Sequence, residues 1–120
     1  MSKRDYRDSL LDIWREIKHI EQFSASVDYE ELIEDEKTLY AIVRCFEVIG
    51  EAAKNIPEEI KEKYCQIPWK DMAGMRDKLI HEYFGVDHEI LWETIKQQIP
   101  RLKMAYLKLL EDYKLKEFSI

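Results

Sequence analysis

Pro68-Trp-Lys-Asp-Met-Ala-Gly-Met-Arg-Asp-Lys-Leu-Ile-His-Glu-Tyr-Phe84 is the stretch whose reading decides this chain. Pro68 suits the opening of a helix, and Gly85 supplies a C-terminal signal, so the pattern predicts a helix ending near Phe84-Gly85. With Arg76 at zero and about 100° per residue, Trp69, Met72, Ala73, Leu79, Ile80 and Phe84 fall in one arc around it. Tyr83 comes seven residues on, roughly 10 Å up the same face. Arg76 therefore sits in the middle of an apolar stripe. Asp77 and His81 border it four residues apart, so their side chains can meet. Asp77 can then orient the imidazole and favour its charged form. A buried arginine is costly unless paired, so the stripe faces a partner carboxylate, a second subunit or a ligand anion. On wheel geometry a plainer reading stays open: Arg76 pairs with a core glutamate and His81 lies on the surface.

The rest of the chain reads as helical scaffold. Residues 4 to 23 form an amphipathic helix with Leu10, Ile13, Trp14, Ile17 and Ile20 at spacings of three and four. Ser24 to Val27 reads as a loop. Asp28 caps a short helix from Tyr29 to about Glu34, with Glu31 at the capping-box position. A third helix runs from about Asp35 to Asn55 on the arc Leu39, Ile42, Val43, Phe46, Ile49 and Ala53. Gly50 falls in that arc and would let a neighbouring backbone approach closely. Glu47 borders the arc and Arg44 lies further round. These two are the candidates to face Arg76, against the alternative that Glu47 is a solvated edge residue. Pro57 starts a short helix over Glu58 to Tyr64. After Asp87, the stripe Leu91, Ile95, Leu102, Tyr106, Leu109 and Tyr113 keeps one phase across Pro100, which predicts one long helix kinked there.

Four long amphipathic helices with short connections predict an all-α, antiparallel four-helix-type bundle with one or two short extra helices, in a single domain over residues 1–120. No strand signal competes. Three glycines and three prolines among 120 residues agree with a helical chain. The net charge of −6 and pI of about 5.1 repel nucleic acid as a whole, so no DNA partner is expected and any RNA contact must be local. Cys45 and Cys65 lack metal or redox spacing and suit a reducing compartment. There is no apolar signal region and no run of membrane length, so a cytoplasmic protein with no membrane partner is expected. Glu16-x-x-His19 looks like half of a di-iron carboxylate motif. A second such pair is missing, and His19 points away from the Ile17 arc, so no metal and no cofactor is expected.

Arg76-x-x-x-x-His81-x-Tyr83 resembles the signature of the HEPN superfamily, and within it the HepT-like toxins of HEPN–MNT toxin–antitoxin pairs. Two longer blocks carry the resemblance further. One is Ile49-Gly-Glu-Ala-Ala-Lys-Asn-Ile-Pro-Glu-Glu-Ile60, which is similar to the family's third-helix block. The other is Ile67 to Asp87, which contains the motif. The resemblance is strongest over residues 39 to 100. It implies a helical bundle that forms a two-fold homodimer, in which two R-x4-H motifs build a composite, metal-independent endoribonuclease site. It also implies an MNT-type nucleotidyltransferase antitoxin that transfers AMP to the motif tyrosine, here Tyr83.

The residue types suit that chemistry. Cleaving RNA without metal needs a base for the 2′-OH, a proton for the leaving 5′-oxygen and positive charge at the phosphorane. Histidine titrates near neutrality and serves the first two needs. The arginine fork suits phosphate oxygens. On a straight helix Arg76 and His81 diverge by about 140°, so one helix assembles the site poorly and two copies across a two-fold axis would do better. The competing reading is a non-catalytic helical subunit that binds a nucleotidyltransferase partner or a nucleotide. The acidic charge and the lack of a basic stripe favour it.

Overall fold

Side-chain caps set the starts of four of the helices, and prolines precede two others. Asp5 accepts a hydrogen bond from the Arg7 amide and opens α1, Tyr6–Ser24. Asp28 opens α2, Tyr29–Glu34, through the expected reciprocal capping box: its Oδ1 accepts from the Glu31 amide at 2.8 Å, and Glu31 Oε1 accepts from the Asp28 amide at 3.0 Å. Asp35 ends α2 and caps α3, Glu36–Lys54, through the Thr38 amide. Pro57 precedes α4, Glu58–Lys63, and Pro68 precedes α5, Trp69–Leu79. Asp87 caps α6, His88–Glu93, by accepting from the Ile90 amide. This computed structural model describes residues 5–81 and 85–115, and the side chains of these except 76–81 and 85–86.

The fold is an all-α bundle. α3 packs between α1 and α5, and the last helix, α7 (Ile99–Asp112), lies against α1. The predicted stripes of α1 and α3 are buried at every position, because helices of this amphipathicity reach stability by covering their apolar faces. Two cross-helix hydrogen bonds fix α7 on α1. Tyr106 Oη donates to the Leu10 carbonyl at 2.6 Å, and Lys103 Nζ donates to Glu21 Oε1 at 2.9 Å. No described helix is long and apolar enough to cross a membrane.

The expected kink at Pro100 takes a different form. α6 leads into a π-helical turn, Thr94–Gln98, and that turn leads directly into α7. Proline offers no N–H to the preceding turn and crowds its carbonyl, and a wider turn just before it absorbs both effects. Leu91, Ile95, Leu102, Tyr106 and Leu109 all remain buried across the junction. The predicted apolar stripe therefore holds from Leu91 to Leu109 with a π turn within it, while Tyr113 falls just past the end of α7 and is half-buried.

The central helix departs more from expectation. α5 ends at Leu79 and does not continue to Phe84-Gly85. Ile80–His81 (β1) is extended and pairs antiparallel with Gly85–Val86 (β2), placing Ile80 opposite Val86 and His81 opposite Gly85. Branched Ile80 and Val86 favour extended backbone. Their pairing needs the chain to return on itself, which no local period of four can announce. The wheel thus holds only as far as Leu79, and Asp77 and His81 do not share one helical face.

Gly50 fulfils its expected role. A Cβ built there would lie 3.2 Å from the Met72 carbonyl oxygen and 3.5 Å from that of Ala73, so α3 and α5 touch through bare backbone. Gly50→Val is expected to destabilise the fold by about 1–3 kcal/mol, because overpacking must push α5 away. Urea unfolding checks this, and a wild-type midpoint would show that α5 is free to move.

Candidate functional site

The motif is divided between two elements. Arg76 and Asp77 occupy the last turns of α5, and His81 occupies β1. Their side chains lie outside the described residues, and Tyr83 lies there altogether. The part of α5 that leads to Arg76 is firmly held. Trp69 is buried, donates its Nε1–H to the Tyr64 carbonyl at 3.1 Å and meets the Tyr106 ring edge-on at 6.4 Å. Tyr64 is itself tied to α7 by its hydroxyl, which donates to Asp112 Oδ2 at 2.6 Å. Met72 is buried over Gly50.

This corrects part of the expected stripe. Trp69 and Met72 are covered by their own chain and offer nothing to a second subunit. Arg44 and Glu47 pair with each other at 4.0 Å, one turn apart on α3, and the Arg44 side chain is 72% exposed. Arg44 is therefore turned to solvent and not into the core. Whether Glu47 faces Arg76 depends on a side chain outside the described residues.

An open cleft of about 480 Å³ adjoins the motif. Phe46 and Ile49 of α3 form its floor, and Met75, the residue before Arg76, lines it from α5. The π turn contributes Thr94 and Gln98, and α7 contributes Arg101. Such turns often mark functional positions. Here the turn widens the helix where it borders the cleft. The recess is mostly apolar, and its charged lining groups are the Arg101 guanidinium and the Asp71 and Glu93 carboxylates.

A different group of residues escaped the sequence reading. Glu16 and His19 of α1 lie beside Cys45 of α3, with one ligand atom of each within 4.8 Å of the others. His19 thus does not point away from neighbouring helices as the wheel of α1 suggested. The i,i+3 spacing of Glu16 and His19 was visible, but their third companion lies on another helix.

The central helix of this all-α bundle thus stops three residues after Arg76, with His81 on the short strand that follows and an open recess alongside. Residues 13–109 match the family described as Ribonuclease HepT-like, and the chain belongs to that family. The protein named "Putative RNase MJ0125" of Methanocaldococcus jannaschii is 51% identical over 112 residues, which cover 93% of this chain and 97% of that one. "Probable ribonuclease HepT" of Thermococcus cleftensis is 50% identical over 107 residues, 89% of this chain and 97% of its own. "Putative RNase TTE0752" of Caldanaerobacter subterraneus is 44% identical over 108 residues, 90% and 96% of the two chains. No solved structure gave a significant match. The resemblance drawn from the motif and its flanking blocks is thereby established across most of the chain, and it places the chain in a ribonuclease family.

Proposed function

We propose that this chain is the toxin component of a HEPN–MNT pair, an endoribonuclease that acts without metal. The observation that carries the reading is the family match over residues 13–109, which contains the whole Arg76–Tyr83 motif. In this reading His81 takes the 2′-OH proton. The 2′-oxygen bonds to phosphorus, the bond to the 5′-oxygen breaks, and an imidazolium supplies the proton that this oxygen needs. The products are a 2′,3′-cyclic phosphate and a 5′-hydroxyl. Arg76 stabilises the extra negative charge on the phosphorane, and Asp77 supports His81 in its charged form.

The site is composite, built from two copies of the motif in a homodimer. The wheel argument for that dimer no longer applies, since Arg76 and His81 stand on different elements. What supports it is the family, together with a motif placed at the end of α5 beyond the buried Trp69 and Met72. Light scattering at micromolar concentration is expected to give twice the chain mass, and a monomer would sink the composite site. A nucleotidyltransferase partner silences the toxin by AMP transfer from ATP. The Tyr83 oxygen bonds to the α-phosphorus, pyrophosphate leaves and the phenol loses its proton. The added phosphate and adenine then compete with RNA for the Arg76 side of the site.

The deciding experiment is cleavage of a single-stranded RNA by mass-verified, unmodified protein in excess EDTA. Cleavage is expected. A confirmed unmodified dimer that leaves RNA intact would favour the non-catalytic binding subunit, the reading to which the net charge of −6 lends weight.

A further inference from the structure

The Glu16, His19 and Cys45 trio has no part in the chemistry above, and its geometry is specific. Glu16 and His19 lie one turn apart on α1, and Cys45 lies on α3, the helix packed against it. His19 Nδ1 stands 2.8 Å from Glu16 Oε1. The imidazole stacks on Phe23 with centroids 5.5 Å apart and planes within 13°, which fixes the ring. Cys45 is 3% exposed, whereas the His19 and Glu16 side chains are 25% and 16% exposed. The trio is thus closed on the α3 side and open to solvent on the α1 side.

Three donor atoms of different kinds lie within 4.8 Å of one another. Sulfur, imidazole nitrogen and carboxylate oxygen are the three donor types that zinc takes, at about 2.0–2.3 Å each. A tetrahedral ion with such bonds holds its ligands roughly 3–4 Å apart, so small side-chain rotations close the set.

We propose that Glu16, His19 and Cys45 bind one divalent transition-metal ion of the zinc type, clamping α1 to α3, with water in the fourth position. On binding, the Cys45 S–H bond breaks, sulfur bonds to the ion and the proton leaves to solvent. Glu16 turns its carboxylate from the imidazole to the ion. The two positive charges then balance a thiolate and a carboxylate, so neither anion is buried unpaired. The site contains no residue of the Arg76–Tyr83 motif. It is a structural site, and it stands whether or not the chain cleaves RNA.

Cobalt(II) is the probe, titrated into metal-stripped, reduced full-length chain. All samples carry Cys65→Ser, because Cys65 is an exposed free thiol that would bind cobalt on its own. One ion per chain is expected, with thiolate-to-cobalt charge-transfer absorption that zinc abolishes by displacement. Zinc is also expected to raise the melting temperature, since it binds only the folded arrangement. His19→Ala should weaken cobalt binding by at least about tenfold, and Cys45→Ala should lose the charge-transfer band. Far-ultraviolet circular dichroism establishes that each variant is helical. If Cys45→Ala does not fold, His19→Ala and Glu16→Gln carry the test, because both replace partly exposed side chains. A parent chain with no charge-transfer band at saturating cobalt, or a His19→Ala chain with unchanged affinity, overturns the proposal.

Discussion

His81→Ala is expected to lower the rate of RNA cleavage by about 10²–10⁴-fold, the usual contribution of a positioned general acid or base, and to leave the helical fold in place. In the proposed reaction no other group in the motif can exchange a proton near neutral pH. Arginine stays charged throughout, and a tyrosine titrates well above neutrality. Alanine keeps the backbone N–H and C=O of residue 81, so the pairing of His81 with Gly85 can survive the substitution. Initial rates on a single-stranded RNA in excess EDTA, with a thermal melt beside them, separate loss of chemistry from loss of structure. A folded His81→Ala protein with full activity would remove this residue from the mechanism. Arg76→Ala serves as the companion. It is expected to lose cleavage as well, through loss of charge at the phosphorane, and retained activity would leave Arg76 as a packing residue only. EDTA in the assay also keeps this test independent of the Glu16–His19–Cys45 site.

Tyr106→Ala is expected to cost about 3–5 kcal/mol of folding stability, the range for removing a large buried aromatic. Tyr106 is fully buried and joins three elements. Its ring stacks parallel to Trp14 of α1 at 6.3 Å and receives Trp69 of α5 edge-on at 6.4 Å. Its hydroxyl donates to the Leu10 carbonyl. Removal would leave a cavity between α1, α5 and α7 and would loosen Trp69, on which the approach to Arg76 depends. For a domain of this length the loss corresponds to a fall in Tm on the order of 10–20 °C. Tyr106→Phe isolates the hydroxyl and should cost only about 1 kcal/mol. Calorimetry on the pair checks both values. An alanine variant as stable as the phenylalanine variant would mean that the three helices collapse onto the gap, and that Tyr106 does not hold them in position.

The two substitutions act at opposite ends of one chain of contacts. Tyr106 and Gly50 fix where the first half of α5 lies, through Trp69 and the Met72 carbonyl. Arg76 follows one turn after Met72 and inherits that position. The open cleft beside Met75 is bordered on its other side by the π turn before Pro100. Scaffold and motif are therefore coupled by packing, and Gly50→Val should disturb cleavage as well as stability.

The sequence by itself determined the features that rest on local periods and local hydrogen bonds. The apolar repeats of α1 and α3, the capping box at Asp28 and Glu31 and the stripe across Pro100 all depend on residues a few positions apart, and Gly50 in the α3 arc marked where a backbone could come close without saying which one. An amphipathic helix has one way to bury its face. The motif and its flanking blocks also sufficed to place the chain in its ribonuclease family. Tertiary structure alone decided three matters. It ended the central helix at Leu79, because Ile80 and His81 bond to Val86 and Gly85 only after the chain has turned back. It buried Trp69 and Met72 within the chain, because Tyr106 of α7 packs on Trp69 and Gly50 lets α3 close against the Met72 backbone. It brought Cys45 to Glu16 and His19, which a wheel drawn for α1 could not show because the third donor belongs to α3. Trp69 with Tyr106, and Cys45 with Glu16 and His19, are far apart in sequence, and the short strand pair needs the chain to double back, so none of these contacts shows in a wheel drawn for one helix.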